Sequence, residues 1–141
     1  MRSVLQRFGL IYVRGGNVFI LRRALKQSGA DEIIKDLLHQ DSVAYAGYSA
    51  GPIMLGPTLR GIETMEDDPD VVPEGYEPDV IWDCLKVLPY AIVPHHHSDW
   101  PGIHESMQKT IRYFIQHHIP FIALRDGEAI IIDGDLQVIV G

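Results

Sequence analysis

The residues best suited to chemistry are Gly47, Ser49 and Gly51. They form the pattern Gly-x-Ser-x-Gly directly after the short apolar run at 43–46 and directly before Pro52. At the end of a strand this pattern is a nucleophile elbow: the chain turns sharply into a helix with the serine at the apex. Small residues two before and two after the serine let strand and helix pass closely. Pro52 suits the first turn of that helix, where a missing N–H costs nothing. The helix then turns its free N–H groups toward any anion that forms on the serine's substrate. The pentapeptide also occurs as a plain tight turn, so its meaning rests on what else the chain brings to the same place.

Two further segments bring matching groups. Gly15-Gly16-Asn17 follows the β-like run Leu10–Val13, and Pro94-His95-His96-His97-Ser98-Asp99 follows the apolar run Ala91–Val93. A serine hydroxyl is a poor nucleophile until a base takes its proton, and histidine is the usual base. A carboxylate then fixes the tautomer of that histidine and stabilises its charged form. The tetrahedral intermediate needs two N–H donors. The Ala50 N–H, next after the serine, is the first; the Gly-Gly turn supplies the second, because glycine allows close approach of the backbone. The chemistry implied is acyl transfer or hydrolysis, with His95, His96 and His97 as candidate bases. A metal site built from His95, His96, His97, Asp99 and His104 is disfavoured. Adjacent histidines splay apart, and no His-x-x-x-His lies on a helix.

The elements that must position these loops read as follows. Residues 1–8 include a helix end. After Gly15-Gly16-Asn17, Val18, Leu21 and Leu25, then Ile33, Ile34, Leu37 and Leu38, recur at helical spacing, with a break at Ser28-Gly29. Asp31 is a candidate N-cap of the second helix. Arg22-Arg23 and His117-His118 read as surface helix residues. The strand at 43–46 and the elbow come next. Residues 60–78 are acidic and rich in Pro and Gly, an excursion over the surface. Residues 82–88 hold a short strand or turn. A helix is expected over 103–117 with Met107, Ile111, Phe114 and Ile115 on its apolar face, and a strand over 121–124. After a turn at Asp126-Gly127, 129–132 and Leu136–Val140 pair as a hairpin. Alternating strands and helices predict an α/β fold, a three-layer sandwich around a mainly parallel sheet that ends in an antiparallel hairpin. In such sheets reacting groups gather at the carboxyl ends of the strands.

Composition sets the outer bounds. The 141 residues suffice for one domain with one core. A net charge of −7 argues against a nucleic-acid partner. No apolar run is as long as a membrane span, and no signal peptide is read at the N-terminus. One cysteine, Cys84, forms no internal disulfide, which suits a cytoplasmic location.

Four segments together resemble peptidase family S51, that of dipeptidase E (aspartyl dipeptidase) and cyanophycinase. They are Ile-Tyr-Val-Arg-Gly-Gly-Asn-Val-Phe, Gly-Tyr-Ser-Ala-Gly, Ala-Ile-Val-Pro-His-His-His-Ser-Asp and Ala-Leu-Arg-Asp-Gly-Glu-Ala-Ile. They occur in the family's order and span roughly residues 10–140. The resemblance implies a fold similar to the class I glutamine amidotransferases (flavodoxin-like), with serine in place of their cysteine nucleophile. It implies Ser49 as nucleophile, Gly16 and Ala50 as oxyanion donors, and His95, directly after Pro94, as base. The family places an Asp or Glu in the loop after the nucleophile helix. Glu63 is favoured there by its distance from Ser49, Asp67 is the alternative, and Glu66 and Asp68 read as solvated. The activity implied is serine-type hydrolysis of small peptides, Asp-X dipeptides among them, with no cofactor. A basic residue would hold the aspartate side chain; Arg60, Lys109 and Arg112 are positional candidates, and Arg14 lies beside the Gly-Gly turn.

The resemblance also implies a further strand–helix segment before the Gly-Gly-Asn loop, and this chain starts almost at that loop. An uncovered sheet edge follows, and with it a dimer or higher oligomer. A second reading is a catalytically silent binding or assembly module on the same fold. A third, amidotransferase-like acyl transfer, is weakened by serine at the nucleophile position.

Overall fold

A computed structural model describes residues 1–64 and 67–141. One helical turn, α1 (Arg2–Leu5), leads into β1 (Leu10–Val13). Asn17 then starts α2 (Val18–Ser28): its side-chain oxygen accepts from the N–H groups of Phe19 and Ile20, both at 3.0 Å. Such a cap satisfies donors that have no partner in the first turn. Gly29, at φ 69°, ends α2 in the left-handed conformation and at once begins α3 (Ala30–His39). The N-cap position expected for Asp31 is therefore taken by Gly29, which has no side chain to cap with. Asp31 lies inside the first turn of α3, buried, with its carboxylate on Arg22.

Arg22 and Arg23 are not surface residues. Arg22 bonds Asp31 at 3.0 Å and the Asp83 carbonyl at 2.7 Å. Arg23 donates to the carbonyls of Pro69, Glu77 and Pro78. Helical spacing alone places both on the polar side of α2. The Pro- and Gly-rich excursion folds back over that side and turns its carbonyls onto Arg23, and the segment after it brings the Asp83 carbonyl to Arg22.

β2 (Ala44–Gly47) runs parallel to β1, with Leu10 opposite Ala44 and Val13 opposite Gly47. The elbow follows, then the short helix α4 (Ala50–Ile53). Residues 82–88 form no strand; one bridge joins Thr58 to Asp83, and the Leu85, Val87 and Leu88 N–H groups bond back to Met54 and Leu55. β3 (Ala91–Val93) leads through α5 (Ile103–Gln116) to β4 (Phe121–Ala123), its parallel partner. β5 (Ala129–Asp133) and β6 (Leu136–Val140) close the chain as an antiparallel hairpin.

The sequence predicts one mainly parallel sheet. Among the described residues the strands instead form three separate pairs, β1–β2, β3–β4 and β5–β6. Helix α4 packs against β1, β2 and β3, so it spans the first two pairs. The core lies around it: Met54, Leu59, Ile62, Met107 and Phe114 are wholly buried, with Phe19, Ile34 and Val93 beside them. Ile115, expected on the apolar face of α5, is exposed instead. So are Leu10 and Tyr12 on β1, and Leu136, Val138 and Val140 on β6.

Candidate active site

Ser49 sits where β2 breaks into α4, at φ 54° and ψ −112°. A residue with a side chain rarely holds such a conformation, and where it persists the surroundings enforce it. Two glycines do so here. A Cβ on Gly47 would lie 2.5 Å from the Val13 carbonyl oxygen, and one on Gly51 would lie 2.4 Å from the same atom. Strand, helix and β1 thus meet at a spacing that only residues without a Cβ tolerate. The Gly-Gly turn abuts the serine too: a Cβ on Gly15 would lie 2.9 Å from the Ser49 Cβ. Neither the Gly16 nor the Ala50 N–H has a hydrogen-bond partner among the described residues, and the Ser49 side chain caps nothing.

His95 follows β3 and also has positive φ, 60°. Its Nδ1 lies 2.6 Å from Asp126 Oδ1, just after β4, and its ring is edge-on to Trp100. Asp126 is held in turn by Ser98, whose hydroxyl donates to Oδ2 at 2.5 Å. The Ser98 hydrogen bond first, and the His95 contact second, hold the Asp126 carboxyl below the usual aspartate range. An ionised carboxylate only accepts, so the proton of this contact belongs to His95 Nδ1 and the other ring nitrogen is left free to act as a base.

Ser49, His95 and Asp126 line one cavity of about 980 Å³ between β2 and β3. No hydrogen bond joins Ser49 to His95 among the described residues. Arg125 is the one Arg or Lys that lines this cavity.

The acids favoured from the sequence are engaged elsewhere. Glu63 accepts from the Gly61 N–H at 2.7 Å. Asp67 accepts from the Val18 N–H at 3.2 Å, at the start of α2, and burial raises its pKa. Glu66 lies outside the described residues. Asp68 is exposed and bonds the Asp70 N–H. Asp126 was legible only as a turn residue; its place one loop beyond β4, the strand paired with β3, is the signal that could have found it. Arg60 lies over the Trp82 ring, and Lys109 and Arg112 are exposed on α5; none of them lines the cavity. Arg14 is exposed beside the Gly-Gly turn.

His96 is half-buried and His97 exposed. Their rings lie 4.0 Å apart, and His97 stacks on His104 at 5.4 Å. Burial, with His97 next, lowers the His96 pKa. Among the described residues no group of three or more His, Cys, Asp or Glu side chains is arranged to hold a metal ion. Cys84 is buried, and burial pushes its thiol up to about 12, so it offers no competing nucleophile. No helix among the described residues is long and apolar enough to cross a membrane.

The model of peptidase family S51 matches residues 1–140. A Streptomyces coelicolor protein named peptidase E is 33% identical over 135 residues, which cover 93% of this chain and 51% of that protein. A Drosophila melanogaster protein named "Probable alpha-aspartyl dipeptidase" is 29% identical over 135 residues, covering 93% of this chain and 52% of that one. The chain thus spans about half the length of these relatives. The crystal structure of a Listeria monocytogenes EGD-e protein assigned as a peptidase E superposes with a TM-score of 0.74 at 24% identity, over 99% of this chain and 62% of that one. The fold is the α/β fold of that neighbour, and this chain belongs to peptidase family S51.

Proposed function

We propose that this chain is a serine-type peptidase that hydrolyses small peptides on a three-layer, flavodoxin-like frame of the class I glutamine amidotransferase kind. One observation carries the reading: an imidazole held by a carboxylate lines the same cavity as a serine set at a strained turn. The Ser49 hydroxyl attacks the scissile carbonyl while the free ring nitrogen of His95 takes its proton. The Gly16 and Ala50 N–H groups, unpartnered among the described residues, receive the oxyanion. His95 returns the proton to the leaving amine, and water then repeats the sequence on the acyl-serine. Asp126, rather than Glu63 or Asp67, orients His95, because its carboxylate already occupies Nδ1.

Asp-X dipeptides are the substrates proposed. The name of the Drosophila relative supports this class, and Arg125 is the cation at hand for an acidic side chain. A second reading, a silent binding module, draws on the absence of a Ser49–His95 hydrogen bond. The test is labelling by a fluorophosphonate probe, wild type against Ser49→Ala, together with a panel of Asp-X dipeptides. Labelling lost in Ser49→Ala, with turnover of at least one dipeptide, supports the peptidase. A folded protein that neither labels nor turns over any dipeptide refutes it.

A further inference from the structure

A hydroxyl outside the expected constellation closes the site. Ser98 stands three residues after His95, and its N–H bonds the His95 carbonyl at 3.1 Å. The turn so formed carries positive φ at both His95 and His97. The backbone ties it to the loop after β4, since the His96 N–H bonds the Leu124 carbonyl at 2.9 Å. Asp126 lies two residues beyond Leu124. The paired ends of β3 and β4 thus bring this acid to both the base and the serine of the turn.

Three contacts then form a ring. His95 Nδ1 meets Asp126 Oδ1 at 2.6 Å, Asp126 Oδ2 accepts from the Ser98 hydroxyl at 2.5 Å, and the Ser98 N–H returns to the His95 carbonyl. Chemistry sets the directions. A hydroxyl has one proton to give and lone pairs to receive with, whereas an ionised carboxylate only accepts. The Ser98 proton therefore goes to Asp126, and the Trp100 N–H, 3.2 Å away, donates to the same Ser98 oxygen. The residue so anchored is the one whose indole stands edge-on to His95.

Solvent exposure gives the ring its importance. The Asp126 side chain is half in water, where a carboxylate held at one oxygen keeps rotamer freedom and water competes for its partner. Held at both oxygens, its plane is fixed and Oδ1 stays on Nδ1. The bond at Oδ2 is short and charge-assisted, which is the strong kind. It is also the first cause that keeps the Asp126 carboxyl below the usual aspartate range. Glu128, the other acid of that loop, is occupied by the Arg125 N–H at 2.8 Å.

We propose that Ser98 is a positioning residue of this site: its hydroxyl fixes the Asp126 carboxylate on His95 Nδ1 and so keeps the other ring nitrogen of His95 in place for proton transfer. Ser98 acts through Asp126 and not on the substrate. The role rests on the peptidase reading, whereas the ring itself rests on the hydrogen bonds alone.

The test has two arms, each run on wild type, Ser98→Ala and Ser98→Thr with circular dichroism as the check on folding. The first follows the Asp126 carboxyl carbon by NMR through an acid titration. Its midpoint rises toward the usual aspartate range in Ser98→Ala and stays at the wild-type value in Ser98→Thr, which keeps the hydroxyl. The second is hydrolysis of Asp-X dipeptides. In Ser98→Ala kcat falls about tenfold, the lower end of what a hydrogen bond to a charged group is worth, while KM stays within about twofold. Ser98→Thr recovers most of that loss. A merely structural role would leave the Asp126 midpoint where it is. The proposal is overturned if Asp126 titrates alike in wild type and Ser98→Ala, if Ser98→Ala keeps the full kcat, or if Ser98→Thr is as slow as Ser98→Ala. A wild type that neither labels nor turns over any dipeptide refutes the peptidase reading and with it the role of Ser98; a midpoint that still rises in Ser98→Ala then shows that the ring itself was read correctly.

Discussion

Replacing Asp126 by Asn tests which acid serves His95. The substitution keeps the size of the side chain and removes its charge, so Nδ1 loses an obligate acceptor and the amide can turn its NH₂ toward the ring. The magnitude follows from exposure. The Asp126 side chain is 54% exposed and that of His95 is 19% exposed. Two unit charges about 4 Å apart are worth about 1 kcal/mol in water and about 4 kcal/mol at an effective dielectric of 20. This pair lies between those limits, so stabilisation of the imidazolium in the transition state falls by about 5-fold to about 1,000-fold in rate. The loss stays below the roughly 10,000-fold seen for a fully buried triad aspartate. Folding stability moves by about 0.5 kcal/mol or less, because the carboxylate is largely solvated. The assay is kcat/KM on Asp-X dipeptides with the fluorophosphonate labelling rate, and Glu63→Gln is measured beside it. Glu63→Gln is expected within about twofold of wild type, since its carboxylate holds the Gly61 N–H and not His95. A tenfold or larger loss in Glu63→Gln, with Asp126→Asn near wild type, would refute the reasoning.

Three other outcomes are expected. Gly51→Ala puts a methyl 2.4 Å from the Val13 carbonyl oxygen, so β1 and the elbow must part; urea melts should show a loss of about 1–3 kcal/mol, and labelling of Ser49 should drop about a hundredfold. Arg22→Ala strands the buried Asp31 carboxylate, whose side chain is 2% exposed, at a cost of about 3–5 kcal/mol in the same melts, whereas Arg22→Met with Asp31→Leu recovers most of it. His96 is held below its usual value of 6.5, chiefly by burial, so the unfolded chain binds the proton first. Stability should therefore fall as pH drops below about 6.5 and level off once the folded-state pKa is passed, and His96→Gln should flatten that slope in thermal melts at stepped pH.

What was legible in the sequence was local. The strand at Leu10–Val13, the helix break at Ser28-Gly29 and the turn after residue 47 each follow from residues within a few positions of one another, and the structure places all three as read. Arg22 and Arg23 were illegible because their partners lie from 9 to 61 residues away and are mostly carbonyls, which sequence cannot mark. Asp126 was hidden for a related reason. It lies 31 residues after His95 and reaches it only because β4 pairs with β3 in register. Glu63 was nearer in sequence to the serine and looked the better candidate, yet sequence distance from the nucleophile says nothing about distance from the base.

The three separate strand pairs complete that argument. An apolar run predicts a strand, but whether its second edge finds a partner depends on the whole sheet, and no pattern within residues 43–47 or 91–93 reports it. Ser49 and His95 are each held by their own turn at positive φ, whereas their spacing depends on how β2 and β3 stand across the cavity they both line. A local device can pre-set the direction of each group; only the sheet sets the gap between them.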